Sequence, residues 1–193
     1  MIGMEKKSVL ISIQPYYVFL IIARLMGWNI PQEKTEEVRK DFPKDPAWDK
    51  RVHIYCSKNR KSFNRIPAQY QPFMEKLLGK VVGNFECDSI RKGGADNTLQ
   101  AYYHNNPAET CLTDQELVLY ANFGKPLYFW HISDLKVYDV PKDLGEFRKT
   151  FICKKNENCG ECENGIGKIS NSDCKFSYPI TTVPQSWCYV EEL

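Results

Sequence analysis

Two residues in the stretch Glu33-Lys34-Thr35-Glu36-Glu37-Val38-Arg39-Lys40 could do acid–base chemistry. Lys34 and Glu37 stand three apart. A lysine in a partly dry pocket beside carboxylates can stabilise a developing negative charge or exchange a proton. Read as a strand, the stretch puts Thr35, Glu37 and Arg39 on one face, with Glu36, Val38 and Lys40 on the other. The same charges also suit a solvated edge strand, which charged side chains protect from unwanted pairing. A second group of reactive types is Cys153-x5-Cys159-x2-Cys162-x11-Cys174. Cys159-Gly-Glu-Cys162 fits a tight turn presenting two thiolates to one metal, and four thiolates would close a structural zinc site. Disulfides or free thiols are the alternatives. A catalytic zinc is not expected, because four protein ligands leave no open position. The polar residues between these cysteines cannot form a core, so a metal or disulfide would have to order the segment.

Other candidates are weaker. His53, His104 and His131 are the only histidines, and none has the spacing of a metal pair or proposes a Ser-His-Asp triad. Glu116 closes the capping box Thr113-Asp-Gln-Glu116, which explains it without any catalytic role. Lys58, Arg60, Lys61 and Arg65 around Phe63 form either a solvated loop or a surface for single-stranded nucleic acid. No glycine-rich phosphate loop follows a strand.

Short strands, by this reading, carry these residues. Ser8 to Ile13 is a buried strand. Pro15 opens a buried helix to Met26, stopped by Gly27, Asn29 and Pro31. The charged stretch is the second strand and Arg51 to Cys56 the third. Val81 to Ile90 is the fourth, with Gly83 marking a bulge or close backbone approach. A helix from the capping box to Tyr120 turns Leu117 and Tyr120 inward. Pro126 to Ile132 and Leu135 to Val140 form a hairpin about a turn at Ser133-Asp134. Pro141 to Phe147 is one helical turn, and Ser186 to Val190 is a terminal strand. Short, evenly spaced strands favour an α+β fold built on a small mixed β-barrel over a doubly wound sheet.

The chain has 193 residues, 42% hydrophobic and 13% aromatic. That composition supports a core of ordinary size in a single domain, 1–193, with the cysteine-rich segment 153–174 inserted in it. Net charge is +2, from 26 basic and 24 acidic residues. Binding to long duplex DNA is therefore not expected, whereas a small ligand or short single strand fits. Cys56, Cys87 and Cys188 read as buried thiols in strands. Lys6 and Lys7 precede an apolar run, but Gln14 and Pro15 interrupt it and Arg24 ends it, so neither a membrane span nor export is expected and a cytoplasmic location is.

The order of motifs resembles the ASCH domain, a family of the PUA-like superfamily of RNA-binding folds. Val-Leu-Ile-Ser-Ile-Gln-Pro (9–15), a buried helix and Glu-Lys-Thr-Glu-Glu-Val-Arg-Lys (33–40) open the likeness. Gly-Lys-Val-Val-Gly-Asn-Phe-Glu-Cys (79–87), Cys-Leu-Thr-Asp-Gln-Glu-Leu (111–117), Trp-His-Ile-Ser-Asp-Leu-Lys-Val-Tyr-Asp (130–139) and Pro-Gln-Ser-Trp-Cys-Tyr-Val-Glu (184–191) continue it, in the manner of longer bacterial and phage members. The resemblance implies a cleft for RNA, a nucleotide or a modified nucleobase. Some small members are amidohydrolases of N4-acetylcytidine, using a lysine, a threonine three residues on, and a helical glutamate; others are ribonucleases. Lys34 matches the lysine and Glu116 the glutamate, but Glu37 stands where the threonine would be, and Thr35 should point away from Lys34. The reading that follows is a module binding RNA or a modified nucleoside, with Lys34, Glu37 and Arg39 contacting it. Ser12, Gln185, Ser186 and Trp187 would line the cleft, Trp187 by stacking unless it is core. An amidohydrolase and a phage or host interaction module are the alternatives.

Overall fold

The computed structural model describes residues 7–93, 107–122, 124–149 and 179–193. Its centre is β1 (Lys7–Ile13). Val9, Leu10 and Ile11 are fully buried, as a β-branched run with apolar side chains on both faces requires. On one side β1 pairs in parallel with β3 (Trp48–Cys56). Beyond β3 lie antiparallel β4 (Val81–Glu86) and β7 (Ser133–Lys142). On the other side β1 pairs antiparallel with β9 (Trp187–Glu192), and β9 with β8 (Phe147–Lys149). The sheet order is β7-β4-β3-β1-β9-β8. A second, three-stranded sheet sets β6 (Leu127–His131) between β2 (Glu36–Arg39) and β5 (Ile90–Gly93).

Helix α1 (Pro15–Ile22) follows β1 directly, with Pro15 in its first turn. It buries Val18 through Ile22 against the core, and the chain leaves through Gly27 at φ +64°. Trp130 of β6 is fully buried and joins the same core, packing near Trp48 and Trp187. The remaining helices are short: α2 (Arg60–Phe63), α3 (Gln71–Glu75), α4 (Pro107–Thr110) and α5 (Asp114–Tyr120). A single 3-10 turn, Leu144–Glu146, lies where one helical turn is expected.

The α+β class holds, but strand pairing among the described residues gives two open sheets and does not close into a barrel. Four local expectations need correction. Ser133-Asp134 is no hairpin turn: β6 and β7 belong to different sheets, and both residues are already in β7. The run Lys58 to Arg65 around Phe63 is not simply a solvated loop. Asn59 caps α2 by accepting from the Ser62 N–H at 3.0 Å, and Phe63 is buried. The expected fourth strand is two, β4 and β5, serving separate sheets. Tyr120 does not point into the core beside Leu117; it is 36% exposed, with Lys40 over its ring.

His53 sits mid-strand in β3 and is almost wholly buried. Its Nδ1 is 3.0 Å from the Tyr138 hydroxyl and its Nε2 is 3.0 Å from Ser8 Oγ. Gly83 allows a close approach of β4 and β7, with irregular register on either side. A Cβ there would lie 2.2 Å from the backbone oxygen of Lys136. Because that obstacle is backbone, Gly83→Ala should destabilise the protein by about 2 kcal/mol in urea unfolding.

Candidate functional site

The parallel strands β1 and β3 end side by side at a cavity of about 500 Å³. Ser12 and Ile13 come from the end of β1, Gln14 and Tyr17 from the start of α1, and Ser57 and Asn59 from just past β3. β2 contributes Glu37 and Arg39, α5 contributes Glu116 and Tyr120, and Gln185 reaches in from the segment before β9. Lys34 stands just ahead of β2 and lines the cavity too.

One wall is ionic and dry. The side chains of Lys34, Glu37 and Arg39 are 2%, 9% and 6% exposed. Glu37 and Arg39 are two apart on β2 and so share a face, which brings Glu37 Oε1 to 2.9 Å from Arg39 Nη2. Glu37 Oε2 lies 3.5 Å from Lys34 Nζ. Lys34 also donates to the Thr110 carbonyl at 2.7 Å, tying α4 to the site. Arg39 donates to the carbonyls of Ser12 at 2.8 Å and Ser186 at 3.3 Å, so it fastens β2 to β1 and to the start of β9. On the opposite face of β2, Glu36 accepts two bonds from Arg91 Nη2, at 2.6 and 2.8 Å, and Val38 packs with Leu117. The strand is thus an edge in its own sheet yet buried on both faces. The solvated-edge expectation fails because other elements cover it.

Burial lowers the Lys34 pKa, and the Glu37 carboxylate opposes that shift. A lysine that holds its proton less tightly than usual, 3.5 Å from a carboxylate, can hand over or take up a proton. Tyr17 presents its ring 5.4 Å from Lys34 Nζ. Burial raises its phenol pKa, while a hydrogen bond from Arg65 pulls the other way. Arg65 in turn sits 4.1 Å above the Tyr16 ring.

Among the residues singled out from sequence, Ser12, Lys34, Glu37, Arg39, Glu116 and Gln185 meet at this cavity. Glu116 keeps its capping role: Oε2 accepts from the Thr113 N–H at 2.8 Å and the Thr113 hydroxyl at 3.0 Å. Ser186 takes part through its carbonyl alone. Trp187 does not line the cavity; it packs in the aromatic core, 6.3 Å from Trp130 and 5.3 Å from Tyr189. Thr35 is held by backbone bonds to Glu109 and Ile132. Tyr17, Ser57, Asn59 and Tyr120 were not anticipated. Only Asn59 carries a local signal, as an N-cap residue ahead of Arg-Lys-Ser-Phe. Cys153, Cys159, Cys162 and Cys174 lie outside the described residues, as does His104. Among the described residues no three His, Cys, Asp or Glu side chains are grouped to hold a metal. No helix there is long and apolar enough to cross a membrane.

No protein-family model and no curated protein sequence matches the chain. Among solved structures it is similar to three of one protein from Zymomonas mobilis. A tyrosine-to-phenylalanine variant is 18% identical, with 72% of this chain and 77% of that chain covered and a TM-score of 0.48. A serine-to-alanine variant is 17% identical, covering 72% and 76%, with a TM-score of 0.48. The protein without either substitution in its description is 20% identical, covering 72% and 74%, with a TM-score of 0.47. These neighbours are ASCH proteins. That is the family whose motifs the sequence resembles.

Proposed function

We propose that this chain is an ASCH-type protein whose cavity binds a nucleoside, free or within a short RNA segment. The observation that carries the reading is the buried Lys34–Glu37–Arg39 array on the wall of a cavity of about 500 Å³. That volume is within the usual range for small-ligand sites. The ionisable groups lining it balance, two cations (Lys34, Arg39) against two carboxylates (Glu37, Glu116), which suits an uncharged polar molecule. Tyr17 and Tyr120 supply aromatic surface for a base. A structural zinc held by Cys153, Cys159, Cys162 and Cys174 belongs to the same proposal, from their spacing alone.

A second reading is amide hydrolysis of N4-acetylcytidine-like substrates. It is favoured by the lowered Lys34 pKa beside Glu37, a pair able to take a proton from an attacking water. Glu37 occupies the place of the hydrolytic members' threonine, so binding ranks ahead of turnover.

Both readings meet one experiment. Titration calorimetry with the four common ribonucleosides and N4-acetylcytidine should detect binding of at least one, and Lys34→Met should weaken it at least about tenfold. Chromatography of the N4-acetylcytidine mixtures would show cytidine and acetate if the hydrolytic reading is right. A wild-type protein that binds none of the five defeats the nucleoside reading.

A further inference from the structure

Positive charge is concentrated in one excursion of the chain. Between Ser57 and Lys80 stand six basic residues, Lys58, Arg60, Lys61, Arg65, Lys76 and Lys80, against one acid, Glu75. The excursion is therefore +5, while the remaining residues, 20 basic and 23 acidic, come to −3. Such asymmetry within a near-neutral chain points to a surface for a polyanion. The excursion is one closed unit. It leaves the large sheet after Cys56 and returns at Gly79, whose N–H donates to the Cys56 carbonyl at 2.7 Å, while the Cys56 N–H donates to the Lys80 carbonyl at 2.9 Å. Phe63, Ile66, Met74 and Leu77 sink its inner side into the core, which leaves Lys58, Arg60, Lys61, Arg65 and Lys76 exposed. Arg60 is committed to Glu75 by two bonds of 2.6 Å, and Lys80 is paired with Asp143. Lys58, Lys61 and Lys76 have no ion pair among the described residues.

This basic face begins at the cavity. Asn59 lies on the cavity wall and caps α2. The Tyr16 N–H donates to Ser62 Oγ at 3.2 Å, docking α2 on the start of α1, where Gln14 and Tyr17 line the cavity. Arg65 spans the seam, 4.1 Å from the Tyr16 ring centre and hydrogen-bonded to Tyr17. Glu116 also acts on Arg65, but its carboxylate is engaged by Thr113. A guanidinium backed by an aromatic ring can stack a base or fork a phosphate. The charges lining the cavity balance, so the positive face is an addition at its rim.

We infer that the ligand is a nucleotide within a single strand of RNA, one base entering the cavity and the neighbouring phosphates lying along Lys58, Lys61 and Arg65. The inference rests on the nucleoside reading above and extends it from a monomer to a polymer. A duplex would not serve, because a paired and stacked base cannot enter. An acidic peptide would be drawn to the same charges but would place no base in the cavity.

Fluorescence anisotropy with an end-labelled single-stranded RNA hexamer containing all four bases tests this, beside calorimetry with the four ribonucleosides. At about 50 mM salt the hexamer should bind at least about tenfold tighter than any nucleoside. It should weaken about tenfold by about 200 mM, as two to three neutralised phosphates require. Lys58→Ala combined with Lys61→Ala should cost about tenfold on the hexamer and cut the slope of log affinity against log salt by about 1.4. That variant should keep nucleoside affinity and melt as wild type does, since both side chains are exposed. Lys34→Met should weaken the hexamer too, because its base occupies the cavity. If nucleosides bind but the hexamer binds no tighter, or if the double variant holds the hexamer as well as wild type, the inference alone is overturned. Hexamer binding that Lys34→Met leaves intact, or that hexaglutamate or a duplex of the same sequence displaces equally well, also overturns it. If neither nucleosides nor hexamer bind, it falls with the nucleoside reading.

Discussion

Glu37→Gln should destabilise the protein by roughly 3–5 kcal/mol at pH 7, the range for removing one partner of a buried ion pair. The carboxylate bridges two cations whose side chains are almost fully covered. Glutamine matches its shape but supplies no charge. Lys34 can respond, because burial already lowers its pKa and it can shed its proton. Arg39 cannot, since a guanidinium stays protonated at any pH a protein tolerates. The loss therefore concentrates on Arg39, which would remain charged with neutral acceptors in place of the carboxylate, among them the Ser12 and Ser186 carbonyls. Lys34→Met should cost much less, on the order of 1 kcal/mol, because Glu37 keeps Arg39 as its partner. Urea unfolding of the two variants reads this difference directly. A Glu37→Gln protein within 1 kcal/mol of wild type would mean that water reaches the pair and that the wall is not dry.

That asymmetry was partly visible in the sequence. Lys34 and Glu37 stand out there as an acid–base combination, and alternation along a strand puts Arg39 on the same face as Glu37. What sequence could not give is the covering. Charges at every second position describe an exposed edge equally well until α4, α5 and the Gln185 segment are placed over them. The β1–α1 start was legible because its signals are local: a β-branched run, then proline at the first helical turn. The Thr113–Glu116 capping box was legible for the same reason. The β6–β7 hairpin failed because two adjacent extended runs look alike whether they pair with each other or diverge. Trp187 reads equally as a stacking residue or as core, because an aromatic residue near a cleft motif carries no mark of which way its strand faces. Ser57 left no signal, since nothing in a serine's sequence context shows that it will line a cavity.

Acid should weaken the fold through His53 before most carboxylates titrate. Burial, assisted by the positive charges of Arg51 and Lys142, lowers the His53 pKa from 6.5 to about 4. The hydrogen bonds account for the neutral ring. Ser8 Oγ spends its proton on the Val190 carbonyl at 3.2 Å, so it must accept from His53 Nε2–H. Tyr138 accepts from Asn84 Nδ2 at 3.0 Å, which leaves its own proton for His53 Nδ1. A second ring proton would displace the tyrosine's. Above about pH 6.5 the ring is neutral in both folded and unfolded chains and contributes no pH dependence. Between about pH 6.5 and about 4 the unfolded chain takes up a proton that the folded chain refuses, so stability falls as pH falls. Below about 4 both forms are protonated and this loss levels off at roughly 3 kcal/mol. Urea midpoints measured from pH 7 to pH 4 should show the decline, and His53→Gln should remove about one proton's worth of slope from it. An unchanged slope in that variant would place the titration elsewhere.

The central place of β1 has a temporal consequence. Ser8 and Val190 are hydrogen-bonded across 182 residues of sequence. During synthesis β1 can gain β3 early, but its other edge must wait for β9. Pairing of such high contact order is slow to form, and an unsatisfied apolar strand is an invitation to association meanwhile. The cavity waits as well, since Arg39 is anchored to Ser186 and Gln185 lines the wall. A ribosome-bound chain that has not yet released residues 185–192 would therefore have most of its secondary structure and no complete binding site, and the arrival of β9 would finish sheet and site in one step.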